Sequence, residues 1–264
     1  MSAFTAPITR REGRSFGRAT HWYVDANGLK IPGVTSILSD GFPKPALVGW
    51  GIKSVAEYAI DHWDDLADEK PSDRLKTLKG SPYADRDAAA NRGTAVHALA
   101  EQLVQGIEVD VPDELAGHVE SYVRFLNEWA PEPVLVERTV VNYTVGYAGT
   151  LDLSARFPCW PGEHVLTDIK TSRSGIFGET GMQLAAYRYA EFFVDEDGSE
   201  QPMPAIDRVV AVHVRADGYD VIPVRADEYV FTRFRHVAVV ARAAGEARSW
   251  VGDALTPPRL EESA

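Results

Sequence analysis

The residues best able to do chemistry lie within 149–187, GTLDLSARFPCWPGEHVLTDIKTSRSGIFGETGMQLAAY. Asp152 sits in GTLD, Asp168 and Lys170 in TDIKTS, and Gln183 and Tyr187 in QLAAY. Two convergent carboxylates can hold a hard divalent cation, which takes oxygen ligands. Such a cation lowers the pKa of a bound water and offsets the charge that builds up on a phosphate. A lysine beside it would steer or help deprotonate the attacking water and would pair with phosphate. The set points to hydrolysis of a phosphate ester.

These side chains converge only if particular elements position them. Alternation around Leu151 and Leu153 predicts a strand, and VLTDIKT predicts a second, entered from the turn-forming PGE and left through 172–175. Side chains at i and i+2 of a strand share a face, so Asp168 and Lys170 point the same way. GMQLAAYRYAEFF reads as a helix on which Gln183 and Tyr187, four apart, face one point. VLVERTVVN, rich in β-branched residues, is a further strand carrying Glu137, and IDRVVAVHVRADGYDVIPV is a hairpin turning at 216–218. Upstream, 25–28 is a turn between two short extended pieces, and Pro45 opens a helix. Residues 64–81 read as a charged loop with a short helix near 72–78. The spacing predicts a helix over 85–105, stopped by Gly106, whose apolar stripe Val96, Leu99, Ala100 and Leu103 runs beside His97. Gly93, one turn earlier, allows close approach there. Further helices cover 112–129 and 226–251. This order fits an α/β fold, a central mixed β-sheet flanked by helices.

The ordered set RGTAVHALAE, GTLD, DIK and QLAAY resembles the PD-(D/E)XK nuclease superfamily, nearest its RecB-like and Cas4-like exonuclease branch of phage type. The resemblance covers about 34–187. It implies a restriction-endonuclease-like core with an N-terminal helical lobe over the site. Asp168 matches the acidic residue of (D/E)XK and Lys170 its lysine; Asp152 matches the earlier aspartate, with Leu151 in place of the proline. Gln183 and Tyr187 match the QxxxY element, and His97 the upstream histidine. The resemblance implies Mg²⁺ or Mn²⁺ on His97, Asp152, Asp168 and the backbone carbonyl of Ile169. Glu137 is a further candidate ligand and equally well a surface or ion-paired glutamate. The implied activity is metal-dependent cleavage of DNA, with an exonuclease preferred to a structure-selective or sequence-selective endonuclease, in recombination, repair or phage DNA processing. DNA is the implied partner, with a recombination or single-strand-annealing protein as a candidate second one. The rivals are a non-catalytic DNA-processing subunit and a hydrolase of small phosphates.

Composition sets bounds on this reading. The chain has 264 residues, 45% of them hydrophobic and 25% charged, which is ordinary for a globular protein. No apolar run suits a bilayer and the N-terminus lacks a secretory core, so a cytoplasmic location is expected, in the host if the chain is phage-encoded. A lone cysteine, Cys159, builds neither an intrachain disulfide nor a four-thiolate iron–sulfur cluster, so no such cluster is expected. The net charge of −12 is unusual for a polyanion binder and demands a local positive groove or bound cations. Four segments are expected: a flexible basic tail over 1–20 with Arg10, Arg11, Arg14 and Arg18, whose functional alternative is an arm on the DNA backbone, a hairpin and helical lobe over 21–132, a nuclease core over 133–252 and a tail over 253–264.

Overall fold

A computed structural model describes residues 4–15, 18–173 and 175–256, with backbone alone at 14–15, 18–19, 84–86 and 88–89. It opens with strands β1 (Thr9–Ser15), β2 (Arg18–Val24) and β3 (Lys30–Ile31), which form a three-stranded antiparallel sheet. The tail expected over 1–20 is therefore corrected: Thr9 to Ser15 pair with Val24 to Arg18, and the boundary at 20 falls inside β2. TRREGRS has no apolar alternation of its own. What holds it is tertiary, because Ile8 just before it is buried with Tyr23, Ile31, Val141 and Ala148. The expected turn at 25–28 is present, with the Asp25 carboxylate accepting the N–H groups of Thr5, Asn27 and Leu29. The side chains of Arg14 and Arg18, and residues 257–264, lie outside the described part.

Four helices follow: α1 (Val34–Gly41), α2 (Pro45–Asp61), α3 (Trp63–Asp68) and α4 (Pro71–Val104). Here the loop expected over 64–81 is corrected, since α3 and the first turns of α4 occupy it. Pro82 lies inside α4 and has no N–H to give the Leu78 carbonyl; the Ser81 hydroxyl donates to that carbonyl at 3.0 Å instead. The helix thus runs through its proline. It stops where expected, with Gly106 at φ 76° and the N–H of Ile107 bonded back to the Gln102 carbonyl. A short turn then leads to α5 (Ala116–Trp129), and Ala130, left-handed at φ 43°, ends it.

The remaining chain builds the main sheet: β4 (Glu132–Asn142), β5 (Tyr147–Arg156), β6 (Val165–Lys170), α6 (Glu179–Arg188), β7 (Phe192–Val194), β8 (Glu200–Pro202), β9 (Arg208–Arg215), β10 (Gly218–Pro223) and α7 (Glu228–Glu246). Its order is β10-β9-β6-β5-β4-β7-β8, with β6–β9 parallel and every other neighbouring pair antiparallel, so the sheet is mixed. The helix expected to run through Phe193 ends at Arg188, because Phe192 and Phe193 pair with Val141 and Val140 of β4. The expected loop after it contains β8, which pairs with β7.

Helices cover both faces. On one, α1, α6 and α7 pack Leu38, Leu184, Tyr187 and Phe234 against Val140, Leu151 and Leu166. On the other, α4 and α5 pack Ala100, Tyr122 and Phe125 against Leu153, Val165 and Val212. The molecule is an α/β fold around a mixed sheet. No helix among the described residues is long and apolar enough to cross a membrane.

Candidate active site

The site lies where β5 and β6 part. Their ladder runs from Ala155↔Val165 to Leu153↔Thr167, which places Asp152 next, opposite Asp168. The ladder stops there, and Asp152 Oδ2 accepts the Ile169 N–H at 2.7 Å. A carboxylate thus takes a donor that a continuing ladder would have given to backbone, and the strands open around both aspartates. N–H and C=O of one strand residue leave by the same edge, so the Ile169 carbonyl faces the side of β6 that carries Asp152.

Asp168 and Lys170 share a face, as the strand period requires, and Lys170 Nζ stands 2.6 Å from Asp168 Oδ2. The Asp168 side chain is 1% exposed. Apart from Lys170, no group among the described residues donates a hydrogen bond to its oxygens. Burial pushes this carboxyl above its usual range, with Lys170 opposing. Burial works against the charged lysine too, but Asp168 and Asp152 hold its ammonium above the ordinary lysine value.

Lys170 also donates to Gln183 Oε1 at 3.3 Å, and Gln183 Nε2 donates to Tyr187 Oη at 3.2 Å. The helix period brings these two residues together, and their common target is the lysine. Tyr187 fits because β5 has a glycine beneath it: a Cβ on Gly149 would fall 2.5 Å from Tyr187 Cε1.

On the other side of Asp152, ligand atoms of His97, Glu137 and Asp152 all lie within 4.8 Å of one another. His97 Nδ1 is 3.5 Å from Asp152 Oδ2, its side chain 29% exposed. Helix α4 delivers it: Val96 and Ala100 are buried, and a Cβ on Gly93 would come 3.1 Å from Thr171 Oγ1 at the end of β6. Glu137 comes from β4, where Val136 pairs with Leu153 and Arg138 with Leu151, so it stands opposite Asp152. Its φ of 48° is left-handed, strained for a non-glycine residue and held only by its surroundings. Glu137 is also ion-paired, with Arg10 Nη1 3.6 Å from its Oε2. Asp168, expected among the ligands, is outside the triad and paired with Lys170, with Asp152 between the two groups.

The protonation directions agree with this crowding. Burial would raise the Asp152 pKa, but His97, Lys170 and the Ile169 N–H hold it below the usual value. Burial would lower His97, yet Asp152 and Asp168 lift it to about 9. Burial and the Asp152 charge raise Glu137 to about 7.

Three contributors had no motif around them, although Arg10 is one of the four arginines of the basic N-terminal stretch. Arg10 Nη1 reaches to 3.6 Å from Glu137 Oε2, from a segment without periodicity. Tyr122 buries a hydroxyl with no partner among the described residues, and the charges of Asp152 and Glu137 help burial raise its pKa. His213, opposite Lys170 on β9, donates from Nε2 to the Ser172 carbonyl at 2.7 Å and so ties down the loop leaving β6. Cys159 is exposed.

No family model matches the chain, and no curated protein matches it. Among solved structures, one described as the crystal structure of SSO0001 is similar at a TM-score of 0.26 and 17% identity, over 54% of this chain. The match spans 63% of that chain's length.

Proposed function

We propose that the chain is a divalent-metal-dependent nuclease that hydrolyses phosphodiester bonds in DNA, acting from strand ends. The observation that carries this reading is the convergence of three carboxylates, Glu137, Asp152 and the buried Asp168, with His97 and Lys170 where β5 and β6 part. Buried carboxylates are normally paired or bind metal. Here Glu137, Asp152 and Asp168 crowd one site and share it with His97, Lys170 and Arg10. An imidazole nitrogen with carboxylate oxygens is a donor set that suits Mn²⁺ as well as Mg²⁺.

His97, Glu137 and Asp152 would hold the cation, with Asp168 and the Ile169 carbonyl on its other side. When bound, it supplies electrostatic stabilisation of charge on the phosphate and acidifies water. The protein's own groups do the rest. Lys170 presents an ammonium to a phosphate oxygen and orients the attacking water. Asp168 and Gln183 hold that ammonium from two directions, and Tyr187 fixes which end of the Gln183 amide faces it.

The test is purified protein with Mg²⁺ or Mn²⁺ on end-labelled linear DNA and on circular DNA. Cleavage of the linear form alone is expected, and Asp168→Ala and Lys170→Ala should each abolish it while leaving the melting temperature within a few degrees. Cutting of circles would show an endonuclease. Wild-type rates in both variants would remove these residues from the site.

A further inference from the structure

We propose that Arg10, on the first strand of the N-terminal sheet, binds a backbone phosphate of DNA beside the bond that is cut; this rests on the nuclease reading above. The guanidinium is brought to the edge of the triad, with Nη1 3.6 Å from Glu137 Oε2 and Nη2 3.3 Å from Glu12 Oε1. Its Nε is buried without a hydrogen-bond partner among the described residues. Arginine carries five donors in a fixed fork, so these two neighbours orient the group without exhausting it. The Glu12 side chain is 74% exposed, and such a pair is weak and screened. The Arg10 side chain is 31% exposed, so solvent reaches part of it.

The backbone fixes where that fork sits. Arg10 stands opposite Tyr23 in the β1–β2 register, and Tyr23 Oη shares a 2.8 Å hydrogen bond with Thr150 Oγ1. Thr150 lies two positions before Asp152 on β5, so the hairpin is tied to the strand that bears the catalytic aspartate. A concave surface of about 290 Å³, lined by His21, Trp22, Tyr23 and Lys30 among others, adjoins the same tyrosine. It offers aromatic rings and the Lys30 ammonium, groups that suit a nucleic-acid strand.

Electrostatics supplies the need. A chain of net charge −12 must attract a polyanion locally. Lys170 offers a cation on the Asp168 side of the site, and Arg10 offers one on the Glu137 side. Phosphate is the ligand whose geometry the planar fork matches in two-point contact.

The experiment measures binding of a fluorescent oligonucleotide by anisotropy with Ca²⁺ present, and steady-state cleavage with Mn²⁺, for wild type, Arg10→Ala and Arg10→Lys. Arg10→Ala should weaken binding and raise KM by about tenfold, with kcat changed much less, and reduce the slope of log affinity against log salt by about one. Arg10→Lys, which keeps the charge, should recover part of the affinity and guards against loss of fold, checked by melting temperature. Unchanged affinity and KM in Arg10→Ala would overturn the proposal. So would a fall in kcat and in Mn²⁺ affinity at constant KM, since Arg10 would then serve only to hold Glu137. A wild type that binds DNA but never cuts it would defeat the nuclease reading and leave the Arg10 contact to be judged by the binding data. A wild type that neither binds nor cuts defeats both.

Discussion

At the scale of residues, the site is a row of groups each oriented by the next: Asp168, Lys170, Gln183, Tyr187. Gln183→Ala removes the acceptor that steadies the ammonium. One hydrogen bond to a charged group is worth about 2 kcal/mol, so kcat should fall by roughly tenfold to thirtyfold, with KM near wild type. A KM effect alone would place Gln183 on the substrate instead. The His97–Glu137 side predicts a pH dependence. Both folded-state pKa values are raised, to about 9 and about 7, above their ordinary 6.5 and 4.5. Groups raised in this way stabilise the fold relative to high pH: their contribution is complete below the unfolded pKa and lost as pH rises through the folded one. Chelator-treated protein should therefore lose stability from pH 5 to pH 9 or above, on the order of 1–3 kcal/mol. Denaturant melts across that range check this. Mn²⁺ should reverse the trend, because a cation needs the neutral imidazole and the ionised carboxylate. His97→Ala should flatten the upper part of the profile.

At the scale of elements, close approach sets the geometry. Gly149 lets the Tyr187 ring lie across β5, and Val34 of α1 comes from the same side, 3.2 Å from a Cβ placed there. Gly149→Ala should destabilise by about 1–3 kcal/mol, since buried groups on two elements must shift. It should also lower activity by moving Tyr187 and hence Gln183. A thermal melt and a cleavage assay on one sample read both, and a neutral result would mean that α6 moves freely over β5. Gly93 is a milder case, because Thr171 Oγ1, which it approaches, is a side-chain atom able to rotate.

At the scale of the molecule, an acidic chain built around a cluster of carboxylates should bind DNA weakly without a divalent cation and measurably with one. The lone, exposed Cys159 leads to a further outcome. Purified protein should be colourless, without stoichiometric iron, and Cys159→Ser should retain full cleavage. A brown protein containing inorganic sulfide would require a cluster shared between chains.

The strands bearing Asp152 and Asp168–Lys170, the helix presenting Gln183 and Tyr187, and the stop at Gly106 were legible in the sequence, because local periodicity and turn chemistry dictate them. So was the class of fold, which follows from element order. What periodicity leaves out, tertiary contact decided. The polar segment Thr9–Ser15 is a strand only because β2 pairs with it and Ile8 is buried beside it. Helix α4 continues through Pro82 because Ser81 supplies the missing donor. Phe192 and Phe193 leave the helix because β4 offers an edge to pair with. Glu137 and Arg10 reach the site through a strained backbone torsion and a contact across more than a hundred residues, neither of which has a local signature. Sequence spacing specified which groups share a face; the parting of β5 from β6 and the docking of α4 and β1 specified which of them meet.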